Sequence, residues 1–591
     1  MTSSAENQIN LMASLRGLML KFGWGRHLQF VCLFFLILVV AVAEVASIGS
    51  VIPLMGILVN PEFLNDFPLA KLMFDEISLF FGISHNILIL LIFVSFVLVA
   101  GATRLALSIF QVRLGHGIGY EMASSIYTTV LYQPYTARLN ISSSEIITVI
   151  TNKIDEVISN VIMGLIAILT SATIILSVVV ALLLIETKMT IIIFLGFALI
   201  YLFIVFGLKS RLVRNGELVN LQRSFIVKIL SEGMGGIKDI LVSSSQKPFI
   251  DVYNASNFKL RRSIGNVQII NRFPRYIVET MGTSLLAIVV FFSTEEGGNF
   301  VDILPFLGAL ALASQRLLPL FQQLYAGVTE VLAAMPALDS VLTNLNQDVL
   351  ETSDKRDYPI LEFSEQIEFR DICFNYTSSD KPIIKGVSFN IKKGERIGLI
   401  GPTGCGKTTL IDIFMGLLEP SSGDILLDGV KLHRENMPGL QRRISHVPQD
   451  VFLSDASIAA NVAFGVSENE IDYNRVREAI QKAQLSSTID SMHKGLMTEV
   501  GEQGIRLSGG QRQRIGIARA LYRDADIFVF DEATSALDQN TEKAVMDVID
   551  GLSSDITMIM IAHRVNSLET CDRIIKLQEG EIISIDNVKN V

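Results

Sequence analysis

Ile397-Gly-Leu-Ile-Gly-Pro-Thr-Gly-Cys-Gly-Lys-Thr-Thr-Leu410 is the stretch that decides the fold. Residues 397–400 form a short apolar run that reads as a buried strand. Residues 409–418 read as a helix. Between them Gly401, Pro402, Thr403, Gly404, Cys405, Gly406, Lys407 and Thr408 match G-x-x-x-x-G-K-[ST], in the strand-loop-helix setting that the motif requires. The glycines let consecutive backbone N–H groups curl around a phosphate, and the helix N-terminus adds a favourable dipole. Lys407 is placed to reach β- and γ-phosphates. The Thr408 hydroxyl is placed to hold Mg²⁺, and Thr409 follows on the first turn. A chance glycine loop would lack the strand, the helix and the Lys-Thr pair together.

Two further stretches belong with this loop. Ile527-Phe-Val-Phe-Asp531-Glu532 is an apolar strand ending in two carboxylates. Asp531 is delivered to the metal shell, and Glu532 points to where a base would polarise an attacking water. Leu507-Ser-Gly-Gly-Gln511 precedes a helix, so Ser508, Gly509, Gly510 and Gln511 form another candidate anion site at a helix start. Alone it could be a simple helix cap. Its weight comes from ending 16 residues before Ile527.

With Gln449 in His446-Val-Pro-Gln449 and His563 in Ile561-Ala-His-Arg564, these stretches resemble the ATP-binding-cassette domain of ABC transporters. The resemblance covers residues 367–583. It implies ATP and Mg²⁺ as cofactors, with Thr408, Gln449 and Asp531 around the metal and Glu532, His563 and Gln449 as catalytic groups. It implies that Tyr376 stacks on adenine, that Asp538 lies at a dimer contact, and that residues 498–504 touch the membrane half. The signature Ser508–Gln511 would close over nucleotide held by a second subunit. One cassette per chain then implies a half-transporter working as a homodimer, with two hydrolysing sites.

The N-terminal part has another composition. The chain has 591 residues, of which 50% are hydrophobic and 18% charged, which excludes a disordered chain and argues against a wholly soluble one. It is also too long for one ordinary domain. Residues 77–103, 157–185 and 189–208 contain no Asp, Glu, Lys or Arg. Residues 27–61 contain only Glu44, 276–294 only Glu279 and 303–329 only Arg316. Each run is long enough to span a bilayer. Six spans are expected, at about 29–59, 83–112, 157–185, 189–210, 276–294 and 301–335. The transmembrane domain is expected at 1–345, a polar linker at 346–360 and the cassette at 361–591. The fold class is thus a multi-domain membrane protein: a six-helix ABC exporter domain followed by an α/β P-loop cassette.

Charge sets the expected orientation. Residues 209–275 hold twelve Lys and Arg, whereas the proposed outer loops hold almost none. Both termini are therefore expected in the cytoplasm, with the chain in the cytoplasmic membrane. No cleavable signal is expected at the N-terminus. Residues 11–20 and 61–80 read as amphipathic segments on the membrane surfaces. Glu232-Gly-Met-Gly-Gly-Ile-Lys-Asp239 predicts a turn and a short crosswise helix between two long cytoplasmic extensions. A net charge of −10 speaks against a nucleic-acid partner. Four scattered cysteines exclude a disulfide scaffold or zinc ribbon. Cys405, beside Lys407, is expected to react with alkylating reagents and to be protected by ATP; the competing reading is a small residue that fits the loop.

Intramembrane arginines are the clue to cargo. Arg104, Arg275 and Arg316 suit an anionic headgroup, since guanidinium binds phosphate in bidentate fashion. Arg104 and Arg275 lie near run ends, where snorkelling to the interface is the competing reading. Residues 44–53, 273–279 and 315–319 resemble stretches of lipid-linked oligosaccharide flippases. That resemblance implies an ATP-driven flippase of a polyprenyl-pyrophosphate oligosaccharide, for protein glycosylation, working by alternating access. The alternatives keep the machine and change the amphiphile to a lipid A-type lipid, a drug or a peptide. A nucleotide-gated channel or regulator is the distant alternative.

Overall fold

The computed structural model describes residues 17, 23–59, 76, 79–80, 82–139, 142–185, 187–295, 300–346, 358–376, 381–532, 539–551, 555–562 and 568–588. The chain divides into two compact units, one ending at Leu350 and the other running from Glu351 to Val591 with Pro134–Ala137 added. The expected surface segments, all but a few residues of them, and most of the expected linker lie outside the described residues, as do His563 and Asp538.

The first unit is helical. Its elements are α1 (Trp24–Gly49), α2 (Val51–Val59), α3 (His85–Tyr132), α4 (Met163–Ile185), α5 (Thr187–Gly235), α6 (Gln246–Glu295) and α7 (Phe300–Leu345). Shorter pieces lead into α4, including wider π-turns at Val149–Lys153 and Val157–Ile162. The break between α1 and α2 falls at Ser50. Pro53 explains it: the ring has no N–H and would press on the carbonyl of Gly49 if the helix ran on. Four helical stretches among the described residues are long and apolar enough to cross a membrane: Trp24–Ile57, His85–Tyr132, Ser143–Leu184 and Gln315–Leu345.

These helices bury one apolar side and expose another. Leu33, Ile37, Val40, Ile118, Ile126, Val161, Ala334 and Leu338 form a shared core. Phe35, Val42, Leu98 and Leu176 point outward. An apolar exterior around a packed interior is what a lipid solvent selects. The glycine-broken connection forms as expected. α5 ends at Gly235, a short helix covers Ile237–Val242, and α6 begins at Gln246.

Small residues let the long helices approach. A Cβ on Gly327 would come within 2.8 Å of the Gly164 carbonyl oxygen, and one on Gly216 would overlap the Ala333 carbonyl oxygen. Between Gly327 and Gly164, both in expected spans, close backbone approach supplies packing where lipid gives no hydrophobic drive. Gly216→Ala is expected to lower stability by about 1–3 kcal/mol through overpacking. Gly265, with nothing within 4 Å of an added Cβ, is the control. Gly265→Ala should be neutral or slightly stabilising. Thermal unfolding of the two variants in detergent checks the pair.

The second unit is α/β. An antiparallel sheet runs in the order β2-β1-β4-β5, with β1 Gln366–Phe374, β2 Ile384–Lys392, β4 Ser422–Leu427 and β5 Val430–Lys431. A six-stranded sheet runs in the order β10-β9-β3-β8-β7-β6. Its members are β3 Arg396–Ile400, β6 Ile444–Val447, β7 Ile527–Asp531, β8 Thr557–Ile561, β9 Arg573–Gln578 and β10 Glu581–Asn587. Within it β9, β3, β8, β7 and β6 pair in parallel. β3, β7 and β8 are apolar almost throughout and buried, as strands covered on both faces must be. Helices α8 (Lys407–Phe414), α9 (Tyr473–Lys482) and α10 (Gly509–Tyr522) belong to the same unit.

Candidate nucleotide site and intramembrane charge cluster

Parallel strands bring the cassette motifs to one edge. The loop 401–406 leaves the C-terminal end of β3, Asp531 and Glu532 stand at the end of β7, and Gln449 follows β6. Ligands of open parallel sheets bind at these carboxyl ends. β8, lying between β3 and β7, ends just before His563.

The loop has the form of a cradle. Gly404 and Gly406 adopt φ of +80° and +104°, a region that favours glycine. A Cβ on Gly404 would meet nothing, so this side of the loop is open. A Cβ on Gly406 would come within 2.7 Å of Ile384 Cδ1, and one on Gly401 would overlap the Leu577 carbonyl oxygen. The underside is therefore packed while the upper side is free. Lys407 Nζ donates to the carbonyls of Gly401 at 2.8 Å and Pro402 at 3.1 Å. Thr408 is exposed beside it, and Pro402 and Thr403 line the same rim; Thr409 is buried.

Cys405 needs a correction. Its side chain is 5% exposed and lies 2.7 Å from where a Gly401 Cβ would stand. Burial under the loop closes it to alkylating reagents. The reading of a small residue that fits the loop is the one the packing supports.

The carboxylate end of the site is also organised. Glu532 adopts φ of +50°, and its N–H donates to the Ile561 carbonyl at 3.1 Å. A non-glycine residue held in this region carries strain, which clusters at functional sites. Gln449 Nε2 donates to Glu532 Oε2 at 2.8 Å, so two residues far apart in sequence meet. Sequence reasoning missed Asp412 on α8. Burial, and then the charge of Asp531, push its carboxyl up to about 6. A carboxyl one helical turn beyond Thr408 was the available signal. Burial also holds the His446 imidazole below its usual value.

Tyr376 stands edge-on to Phe374, with ring centroids 4.9 Å apart, and packs against the core of this unit. The signature segment forms the helix cap that its sequence allowed. Ser508 is the N-cap of α10: its Oγ accepts from the Gln511 N–H at 3.2 Å, and its own N–H donates to Gln511 Oε1 at 2.8 Å. This capping box fixes the helix start. Ser508 stays exposed, and Gly509 and Gly510 stay partly exposed.

The residues fit Mg–ATP. An open glycine cradle, a lysine at its mouth, the exposed Thr408 hydroxyl and a strand-end carboxylate form the donor set for a triphosphate with a hard cation. Among the described residues no group of three or more His, Cys, Asp and Glu side chains gathers to hold a metal ion by itself.

The helical unit holds the second candidate site. Glu44 on α1 is 2% exposed. Its two carboxylate oxygens each accept from a guanidinium, one from Arg104 on α3 and one from Arg316 on α7. Arg316 Nη2 also donates to Ser47 Oγ at 3.0 Å. The structure therefore brings Arg104 and Arg316 together. Arg275 stands apart from them, exposed and paired with Glu279 one turn along α6 at 3.9 Å. Glu44 was the overlooked member, although it is the sole charge in residues 27–61.

Family comparison agrees with both units. Residues 27–296 match the ABC transporter transmembrane region and residues 384–535 match the ABC transporter domain. The chain belongs to the ABC transporter family. ATP and Mg²⁺ are accordingly the cofactors of its cassette. A bacterial Atm1-family ABC exporter with ATP bound has the same exporter fold, with a TM-score of 0.76 at 20% identity, covering 95% of this chain and 96% of that one. A protein of Burkholderia orbicola (strain AU 1054) named ATP-dependent lipid A-core flippase is 32% identical over 380 residues, 63% of this chain and 62% of the relative. A protein of the same name from Ralstonia nicotianae (strain ATCC BAA-1114 / GMI1000) is 42% identical over 218 residues, 37% of each chain. The matched stretches thus span less than two thirds of these relatives.

Proposed function

We propose that two copies of this chain form an ATP-driven exporter that moves a phosphorylated amphiphile of the lipid A type from the cytoplasmic to the outer leaflet. The observation that carries this reading is the 32% identity, across 63% of the chain, with a protein named as a lipid A-core flippase. It favours the lipid A-type alternative over the polyprenyl-pyrophosphate oligosaccharide that the sequence suggested, so a role in protein glycosylation is not proposed. Both cargoes join a phosphorylated headgroup to long hydrocarbon chains. The intramembrane guanidiniums of Arg104 and Arg316 suit that shared chemistry.

The cassette's residues take the following parts. Mg–ATP supplies the binding energy that closes two cassettes and, on cleavage, the energy that reopens them. Lys407 turns from the Gly401 and Pro402 carbonyls to the phosphates, while the loop N–H groups hold their oxygens. Thr408 and Asp531 supply oxygen donors for the cation. Glu532 orients and polarises the attacking water, and Gln449 fixes the Glu532 carboxylate. Tyr376 offers a ring face to adenine. His563 contacts the γ-phosphate. Ser508–Gln511 of the second copy cover the nucleotide, with the capped start of α10 aimed at its anion. The two termini lie in the cytoplasm, because the long connection 209–275 carries the excess of Lys and Arg.

Lipid-stimulated ATPase activity in nanodiscs tests the cargo. Lipid A is expected to raise turnover several-fold above the bilayer background, and a polyprenyl-pyrophosphate sugar to raise it less. Stimulation by the second lipid alone would return the reading to the oligosaccharide cargo.

A further inference from the structure

The charge cluster of the helical unit has a feature that headgroup binding alone does not require. Two arginines would make a stronger anion site without a carboxylate between them. Instead, Glu44 is 2% exposed and each of its oxygens is taken by one guanidinium. The three residues come from α1, α3 and α7, so the contact ties three helices together. The two arginines are unequal. The Arg316 side chain is 19% exposed and is held from two sides, by Glu44 and by Ser47 one turn along α1. The Arg104 side chain is 51% exposed and has Glu44 on its inner side.

We propose that Glu44 is an intramolecular competitor for the headgroup anion, holding Arg316 in place and setting how much negative charge a cargo needs to win Arg104. The proposal rests on the cargo reading above. The cluster carries one net positive charge in place of two. A carboxylate divides a single charge between two guanidiniums. A phosphate monoester brings about 1.5–2 negative charges and three acceptor oxygens to the same donors. It therefore competes for Arg104 from the exposed side, where a zwitterionic headgroup of no net charge does not. Glu44 also gives the site a way to let go. When the helices move, the carboxylate can retake Arg104 and the lipid leaves a partly neutralised surface. Glu44 is thus a specificity residue that acts through Arg104, and Arg316 is a positioning residue.

The test is equilibrium binding of two fluorescent lipids to the full-length protein in nanodiscs, one with a phosphate monoester headgroup and one zwitterionic. The quantity read is the ratio of their affinities. Glu44→Gln is expected to raise the anionic-over-zwitterionic ratio at least about tenfold, since it adds one net positive charge at contact distance. It should also slow release of the anionic lipid. Glu44→Asp keeps the charge but withdraws the carboxylate by one methylene, and should raise the ratio about threefold. It serves if Glu44→Gln does not fold. An unchanged or lower ratio in a folded variant overturns the proposal and leaves Glu44 a purely structural counter-ion. The wild-type ratio is a separate readout: a preference for the zwitterionic lipid would remove the cargo reading itself, whatever the variants do.

Discussion

Glu532→Gln stops ATP turnover and leaves ATP binding intact. The expected fall in hydrolysis is about 10²–10⁴-fold, the range that a positioned general base supplies. The geometry explains why the loss is confined to chemistry. Glu532 is held by its backbone, through the N–H bond to Ile561 and the left-handed φ, and these survive the substitution. Gln449 keeps a hydrogen-bonding partner, because the new amide offers a carbonyl oxygen where Oε2 stood. The phosphate cradle is not touched. Phosphate release and binding of a fluorescent ATP analogue, measured on the same preparation, separate the two effects. Loss of binding together with turnover would place Glu532 in the fold of the site and not in its chemistry.

Lys407→Ala has the complementary effect: nucleotide is no longer captured. The Lys407 residue is 6% exposed, and its ammonium sits at the mouth of the glycine loop on two carbonyls. Charge-assisted hydrogen bonds contribute about 1.5–3 kcal/mol each, so affinity for ATP should fall by about 10–100-fold or more. The loop itself should persist, because its shape rests on Gly401 and Gly406 packing against Leu577 and Ile384. Nucleotide titration with circular dichroism of the same samples checks both halves of the expectation. An unchanged affinity would mean that the N–H cradle binds phosphate without the lysine.

How far the sequence could be read depends on where the chemistry lies along it. The phosphate loop was legible because eight consecutive residues carry it, and the strand before and helix after need only local patterns. The interruption between α5 and α6 was legible because three glycines mark it. The capping box at Ser508 was legible as a cap, because Ser508 and Gln511 stand three residues apart at a helix start. Glu44 was not legible, because its partners are 60 and 272 residues away and pairing depends on how α1, α3 and α7 pack. A single acid in an apolar run shows that something must neutralise it, not which arginine does so. Cys405 shows the same limit. Its neighbours in sequence predicted reactivity, while packing against Gly401 buries it. Arg275 resembled the other two arginines by setting, yet among the described residues its ion pair is with Glu279 on its own helix.

The central claim is that nucleotide chemistry in the cassette moves a phosphorylated lipid through the helical unit. Its most direct test is lipid translocation in proteoliposomes. Wild-type protein is reconstituted with a fluorescent lipid A analogue, and the outward movement of the label is followed by quenching from one side. ATP-dependent movement is expected in the wild type, with none in Glu532→Gln and none with a non-hydrolysable nucleotide. ATP hydrolysis at the normal rate with no movement of the lipid would contradict it.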